Sequence, residues 1–337
     1  MSAEIKKLRV VQFHRRPMAG HVSIERLFAG IRRAMPAGVD CSVRVCPRFS
    51  KGVWPRLVNM LDAARHQAQI NHITGDVHYL AIALRKRRTL LTIHDCVVLE
   101  RMRGLRRAVF KWLWFTLPIR RAGLVSVISE ATRRELLRHV ACDAAKIRVV
   151  PNCVDDSFEA CLKAFNAVEP EILHLGTASN KNLERLILAL AGLPCRLNIL
   201  GRLSAEQTAL LERSGIRHTN APAVTDAELV AAFQRCDMVA FVSTGEGFGL
   251  PIVEAQATGR PVVTSNISSM PEVAGDGACL VDPFDVAAIR AGILKVWHET
   301  EYRERLVAAG FENVKHFSAR AVAAQYAALY EEIKDKC

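Results

Sequence analysis

The stretch Met238-Val-Ala-Phe-Val-Ser-Thr-Gly245-Glu246-Gly247-Phe248-Gly249-Leu250-Pro251-Ile-Val-Glu254-Ala-Gln-Ala-Thr-Gly-Arg-Pro261-Val-Val263 decides the fold. Met238–Val242 is a short continuous apolar run of the kind buried in a parallel sheet. It gives way to three glycines, and Pro251 then stands where the missing N–H of a first helical turn costs nothing. Strand, glycine loop and helix in that order make one βα unit. Backbone amides at such a helix start suit a phosphate or a sugar hydroxyl. Glu246 in the loop and Glu254 in the helix can address different parts of one ligand, because a carboxylate accepts from paired hydroxyl groups.

Working outward, β-branched runs alternate with amphipathic segments on both sides, the pattern of βα units around a parallel sheet. Strands are expected near residues 8–13, 42–46, 70–74, 89–93, 124–128 and 147–150, then near 171–176, 196–200, 238–242, 261–264 and 278–281. Helices fill the gaps, among them Val77–Leu84, Leu105–Leu117 and a helix from Glu130 with Ser129 as its N-cap. The stretch from Cys153 to Pro170 has no periodicity and separates two runs of the same pattern. The expected fold is therefore α/β, two facing Rossmann-like doubly wound domains with a ligand cleft between them. Residues 1–160 form the first, 161–318 the second, and the helix 319–337 crosses back to the first, the two closing over a ligand.

Length and charge narrow the partners. The chain has 337 residues, half of them hydrophobic, and its net charge is +12. Residues 1–165 carry 30 Lys and Arg against 13 acids, whereas the remainder carries 16 against 21. The basic half points to a polyanion: nucleic acid, anionic lipid or a phosphorylated substrate. No apolar run approaches the ~20 residues of a membrane span. The N-terminal stretch lacks a signal peptide's apolar core, so a cytoplasmic location is expected. The ten cysteines lie singly, without the spacings of a zinc site or disulfide framework, and read as reduced.

Glu246-x7-Glu254, in the context Glu-Gly-Phe-Gly-Leu-Pro-x-x-Glu-Ala, resembles the hallmark of retaining glycosyltransferases of family 4, which have the GT-B fold. Four further pieces stand in the family's order. They are Thr92-Ile-His94-Asp95, Val149-Val-Pro-Asn152, Gly176 to Lys181-Asn182, and Ser268-Ser-Met-Pro-Glu272-Val-Ala-Gly-Asp. The resemblance implies a sugar moved with retention from a nucleoside-diphosphate donor, itself a co-substrate with no further cofactor, to a glycan or lipid-linked acceptor. It assigns Glu246 to the donor sugar, Glu254 to the ribose, Lys181 to the diphosphate and His94 to the reacting centre. Gly176, Thr177, Arg202, Gly247, Phe248, Gly249 and Leu250 would line the donor site. No Asp-x-Asp metal dyad is evident, and Lys181 with the helix dipoles would take the metal's place.

Two departures bear on the site. Thr177 follows Gly176 where the family commonly has an arginine, leaving Arg202 as the candidate replacement. A single glycine, Gly20, stands where a double-glycine loop usually follows the first strand, with Arg15 and Arg16 nearby as candidate phosphate contacts.

Rival functions each lack something. A nicotinamide dehydrogenase needs G-x-G-x-x-G with an acid ~20 residues on, and neither glycine loop supplies both. A sugar-nucleotide epimerase on the same scaffold would act without acceptor. A nucleic-acid binder would need stacking aromatics beside its arginines, and aromatic residues are only 6% of the chain. Residues 101–121 combine seven cations with Phe110, Trp112, Trp114 and Phe115. That mixture suits an anionic membrane surface, which would make the protein peripheral on the membrane's inner face.

Overall fold

The computed structural model describes residues 7–17 and 23–336; the single-glycine loop around Gly20 lies outside them. The chain divides into two units, Met1–Cys153 with Ala319–Cys337, and Val154–Ser318. The division falls before residue 160 because the intervening segment is tied to the second unit. Val154 N–H donates to the Phe317 carbonyl (2.9 Å), Cys161 N–H to that of Thr258 (3.3 Å), and the Phe158 ring meets Phe233 edge-on.

The first unit holds a parallel sheet of β1 (Leu8–His14), β2 (Val39–Val45), β3 (Ile70–Ile73), β4 (Thr89–Ile93), β5 (Leu124–Val127) and β6 (Ile147–Val149). Their order is β2-β1-β3-β4-β5-β6, so the winding reverses between β1 and β3. The second holds β7 (Glu171–Leu175), β8 (Arg196–Leu200), β9 (Arg217–Ala221), β10 (Met238–Phe241), β11 (Val262–Ser265) and β12 (Cys279–Val281). Their order is β12-β11-β10-β7-β8-β9, with the reversal between β7 and β10. Every strand pair is parallel. The architecture is thus two Rossmann-like α/β units, each with one topological switch point at the carboxyl ends of its strands.

Strand alternation distributes the first core over two faces. Val11 and Phe13 join one cluster with Ile73, Leu91 and Val125. Val10 joins the other with Phe28, Ile70 and Leu90, and there the last helix, Ala319–Asp335, buries Val322, Tyr326, Tyr330 and Ile333. At about 1.5–3 kcal/mol for each large side chain removed from water, that face anchors the helix firmly.

Two local expectations need correction, and one strand goes unread. Val77–Leu84 is not an α-helix but a buried 3-10 turn, His78–Ile82, closed by Leu80 N–H to Val77 O and Ala83 N–H to Leu80 O. The expected helix Leu105–Leu117 is Gly104–Lys111, a wide π turn Trp112–Thr116, and Leu117–Arg121. Pro118 has no N–H for the carbonyl four residues back, and that carbonyl, Trp114's, accepts instead from His78 Nδ1 at 3.0 Å. Strand β9 escapes sequence reading because it is a largely exposed edge, Arg-His-Thr-Asn-Ala, with no apolar alternation.

Candidate functional site

In the second unit, β7 ends at Leu175 and Gly176 turns the chain with φ 86°, a left-handed conformation natural only to glycine. A Cβ there would lie 2.9 Å from Lys181 Cγ, so the missing side chain is the channel along which the lysine stem runs. Asn182 follows, also left-handed at φ 62°, and starts the helix Leu183–Leu190. Its buried amide donates to the carbonyls of Val242 (2.9 Å) and Pro283 (2.7 Å), which ties that helix start to the end of β10.

The glycine loop meets this turn across the switch point. Thr244 N–H donates to Asn180 O at 2.8 Å, and Asn180 Nδ2 donates to Gly245 O and to Glu246 Oε1. Lys181 Nζ lies 2.6 Å from the same Glu246 oxygen and 4.9 Å above the Phe241 ring. Ser268 Oγ accepts from Glu246 N–H and donates to Glu246 O, and Ser269 Oγ donates to Phe248 O at 2.6 Å. Two loops therefore hold the glycine loop in shape. Gly249, at φ 109°, caps the helix Leu250–Ala257 with Pro251 in its first turn, as the sequence requires.

Other expected residues take more particular places. Phe248 is buried against Phe317, so only its backbone faces the loop. Thr177's hydroxyl donates to Arg202 O at 2.5 Å while Arg202's side chain is exposed. Glu254 is partly accessible but set among dense protein. That desolvation, with the charge of Asp155, pushes its carboxyl up to about 8. Beneath the turn, His174 Nδ1 donates to Ala240 O at 3.0 Å, and burial pushes its imidazole down to about 4. Sequence reading does not single out Asn180, Asn182, Ser268 and Ser269 as site residues. The only signals for them are membership in the Gly176–Asn182 and Ser268–Asp276 motifs.

The first unit's switch point is made of histidines. His94, after β4, donates from Nε2 to Thr74 O at 2.8 Å and not to Asp95, whose carboxylate accepts from the N–H of Val97, where the short helix Val97–Arg101 begins. Desolvation lowers its pKa, so the ring is neutral with Nδ1 free of the proton. His14, at the end of β1, faces Arg32 at 3.2 Å and is pushed down to about 4 by burial and that cation. Arg15 and Arg16 are not poised for phosphate. Arg15 is paired with Glu25 (2.9 Å) and Asp76 (2.7 Å), while Arg16 donates to Pro47 O and lies over Phe49.

Among the described residues, no group of three or more His, Cys, Asp or Glu is placed to hold a metal ion. Burial pushes the thiols of Cys46 and Cys236 up to about 12, consistent with inert packing residues.

A switch point with a glycine loop, two adjoining helix starts and a lysine–carboxylate pair has the chemistry of a site for an anionic, hydroxyl-bearing ligand. The comparisons agree with that class. Residues 10–158 match the model of Glycosyltransferase Family 4, and residues 163–313 that of Glycosyl transferases group 1. The O-antigen chain mannosyltransferase B of Escherichia coli is 29% identical over 265 residues, 69% of this chain and 68% of that one. The phosphatidyl-myo-inositol mannosyltransferase of Mycobacterium tuberculosis is 27% identical over 339 aligned positions, 94% of this chain and 87% of that one. Anabaena HepE, solved with UDP and glucose, superposes with a TM-score of 0.75 at 18% identity, covering 96% of this chain and all of that one. The chain belongs to the group 1 glycosyltransferases of the family 4 type, with the GT-B fold.

Proposed function

We propose that the protein is a retaining, metal-independent hexosyltransferase of surface polysaccharide or glycolipid synthesis. It takes its sugar from a nucleoside-diphosphate donor and passes it to a glycan or lipid-linked acceptor. The names of the relatives make mannose the first sugar to test. The supporting observation is the Lys181–Glu246 pair at the switch point of the second unit. An arriving diphosphate competes for the ammonium, and the carboxylate so released accepts from the donor sugar's hydroxyls. Amides of Gly247, Gly249 and Leu250 add donors without charge, and Glu254 takes the ribose. In the transfer, the bond from the anomeric carbon to the phosphate oxygen breaks as the acceptor oxygen bonds that carbon on the same face. The acceptor's proton passes to the departing phosphate. The first unit takes the acceptor, with neutral His94 offering Nδ1 as a hydrogen-bond acceptor.

A thermal-shift screen with UDP, GDP, ADP and dTDP identifies the base, since a ligand at 100 times its Kd stabilises by about 2.7 kcal/mol. Turnover is then measured with the matching sugar nucleotides. Glu246→Gln should abolish transfer, and Glu254→Ala should weaken donor binding. Wild-type behaviour in both overturns the site, and nucleoside diphosphate released equally without acceptor would mark an epimerase.

A lipid-linked acceptor would give purpose to the surface of residues 101–121. Leu105, Val109 and Trp112 are 81%, 50% and 51% exposed, beside exposed Arg103 and Arg106. Trp114, partly buried, donates to Asp76 O near Arg15 and carries Arg56 over its ring. The helix is thereby pinned at the carboxyl end of the first sheet. No helix among the described residues is long and apolar enough to cross a membrane. We assign docking to this exposed face, as a peripheral contact with the membrane's inner leaflet. Flotation with anionic vesicles should fall with salt and with Arg103→Glu plus Arg106→Glu. A wild-type protein that stays unbound at low salt refutes docking and leaves the transferase reading intact.

A further inference from the structure

At the amino ends of the first sheet, opposite its histidine-lined edge, the protein gathers charge that sugar transfer does not use. The basic turn Lys86–Arg88 runs into β4, Ala122 and Gly123 run into β5, and Lys146 precedes β6. Two hollows open there, of about 490 and 420 Å³. Lys86, Arg120, Lys146 and Asp143 line the first; Lys86, Arg87, Lys146 and Lys336 line the second. Lys86 and Lys146 are thus shared by both.

The frame is stiff. A Cβ on Gly123 would come within 3.1 Å of the carbonyl oxygens of both Lys86 and Arg87, so the basic turn is packed directly on the backbone that enters β5. Gly123 N–H also donates to Thr89 O at 2.8 Å.

Among the described residues lining the two hollows, Asp143 is the only acid. The Asp143 carboxylate accepts from Ala145 N–H at 2.9 Å and so is turned onto its own turn. Glu332 engages Arg148 at 2.6 Å and Lys336 at 2.7 Å. Lys146 donates to Ala122 O, the C-cap of the helix Leu117–Arg121, at 3.2 Å. Burial and the charge of Lys86 hold its ammonium below the usual lysine value. Cations do stabilise helix carboxyl ends, but one ammonium satisfies that carbonyl, and Lys86 and Arg120 stand beside it as further positive charges. Concentrated positive charge over a rigid backbone suits a ligand with several phosphate oxygens.

We propose that these joined hollows bind a multiply phosphorylated anion, a diphosphate or larger, at a site separate from the donor site. The anion can be a free polyphosphate or the headgroup of a phosphorylated lipid, and two arms of one experiment tell them apart. In the first, inorganic pyrophosphate is titrated calorimetrically into the full chain at low salt, and into Lys181→Ala to remove the donor-site contribution. Binding should persist in Lys181→Ala and weaken at least tenfold when Lys86→Gln and Lys146→Gln are added. The Lys86→Gln, Lys146→Gln protein without the Lys181 change should keep its wild-type thermal shift with nucleoside diphosphate, which separates this site from the transferase reading. Should that pair fail to fold, exposed Lys86→Gln alone gives the readout, with at least a threefold loss.

In the second arm, the Arg103→Glu, Arg106→Glu protein, which lacks the docking cations of residues 101–121, is floated with vesicles of neutral lipid with and without a bisphosphorylated inositol lipid. Capture only by the phosphorylated vesicles, reversed by pyrophosphate, identifies a headgroup. Pyrophosphate binding without such capture identifies a soluble anion. Pyrophosphate affinity unchanged by the lysine substitutions, or absent in Lys181→Ala, overturns the site.

Discussion

At the switch point of the first sheet, His14 and His94 are desolvated and neutral, and Arg15 is held between two carboxylates. At the switch point of the second, Lys181 is paired with Glu246 at 2.6 Å, with a helix start on either side. One winding pattern thus supports opposite electrostatics. A neutral, hydrogen-bonding edge fits a polyhydroxyl acceptor, whereas a charge pair that a second anion can prise open fits a diphosphate. The topology chooses where a ligand meets the protein, and the side chains after each strand choose which ligand.

The sharpest way to break this contrast is to remove charge from the second switch point. Glu246→Gln keeps the bond from Asn180 but loses the charged partner of Lys181, and transfer should fall by about 100-fold or more in kcat. Arg15→Gln in the first unit, where the guanidinium is already engaged by Glu25 and Asp76, should cost less than tenfold in single-turnover and steady-state rates. Equal losses would mean that the two edges do not differ in function.

Next in size is Gly176→Ala. The added methyl meets both a left-handed φ and the Lys181 stem, so a loss of about 1–3 kcal/mol by denaturant titration is expected, together with weaker nucleotide binding. Gly192→Ala, also at positive φ but with nothing near its Cβ, is the control. It should cost stability and leave nucleotide affinity alone.

Above the ordinary histidine range, the second unit should show a pH dependence that the histidines of the first do not. In the first, His14, His72, His78 and His94 all have lowered values, so the native state binds fewer protons than the unfolded one below the ordinary histidine range. Their stability contribution is present at neutral pH and is lost as pH falls from ~6.5 toward the lowered values. In the second unit, Glu254 is raised to about 8, so its contribution falls as pH rises from ~4.5 to 8; His174, lowered to about 4, opposes it below ~6.5, and the fall stands alone between ~6.5 and 8. Glu254→Gln should therefore be the more stable protein at pH 8–9 by about 1–3 kcal/mol, the advantage shrinking toward pH 5. Hydrogen exchange resolved by unit reads both trends; a Glu254→Gln difference that does not vary with pH would refute the second.

The smallest expected effect concerns His94→Asn. Its proton-bearing Nε2 is committed to Thr74, so an amide that restores the bond should preserve folding within about 0.5–1 kcal/mol while lowering kcat. A change confined to KM would assign His94 to binding alone.

Much of this was legible from residue order. The 238–263 segment reads as strand, glycine loop and helix because each step has a local cause: apolar continuity, positive φ, and proline in a first turn. The two acids at 246 and 254 were found by their spacing about that loop. Arg15 and Arg16 misled because a sequence displays cations and conceals their partners. Glu25 and Asp76 reach Arg15 from different parts of the chain, and Pro47 and Phe49 occupy Arg16. The break at Trp112 was half visible in Pro118, but that His78 takes the released carbonyl depends on a turn 36 residues away.

By itself, then, the sequence determined the two α/β units, the loop chemistry and the acidic pair, since these follow from periodicity and from backbone constraints that act within a few residues. Tertiary structure alone decided that Lys181 rests on Glu246, that Glu254 carries a raised carboxyl, and that Lys86 and Lys146 share one basic edge. Charge pairing and desolvation depend on distances across strands, and only folding sets those distances.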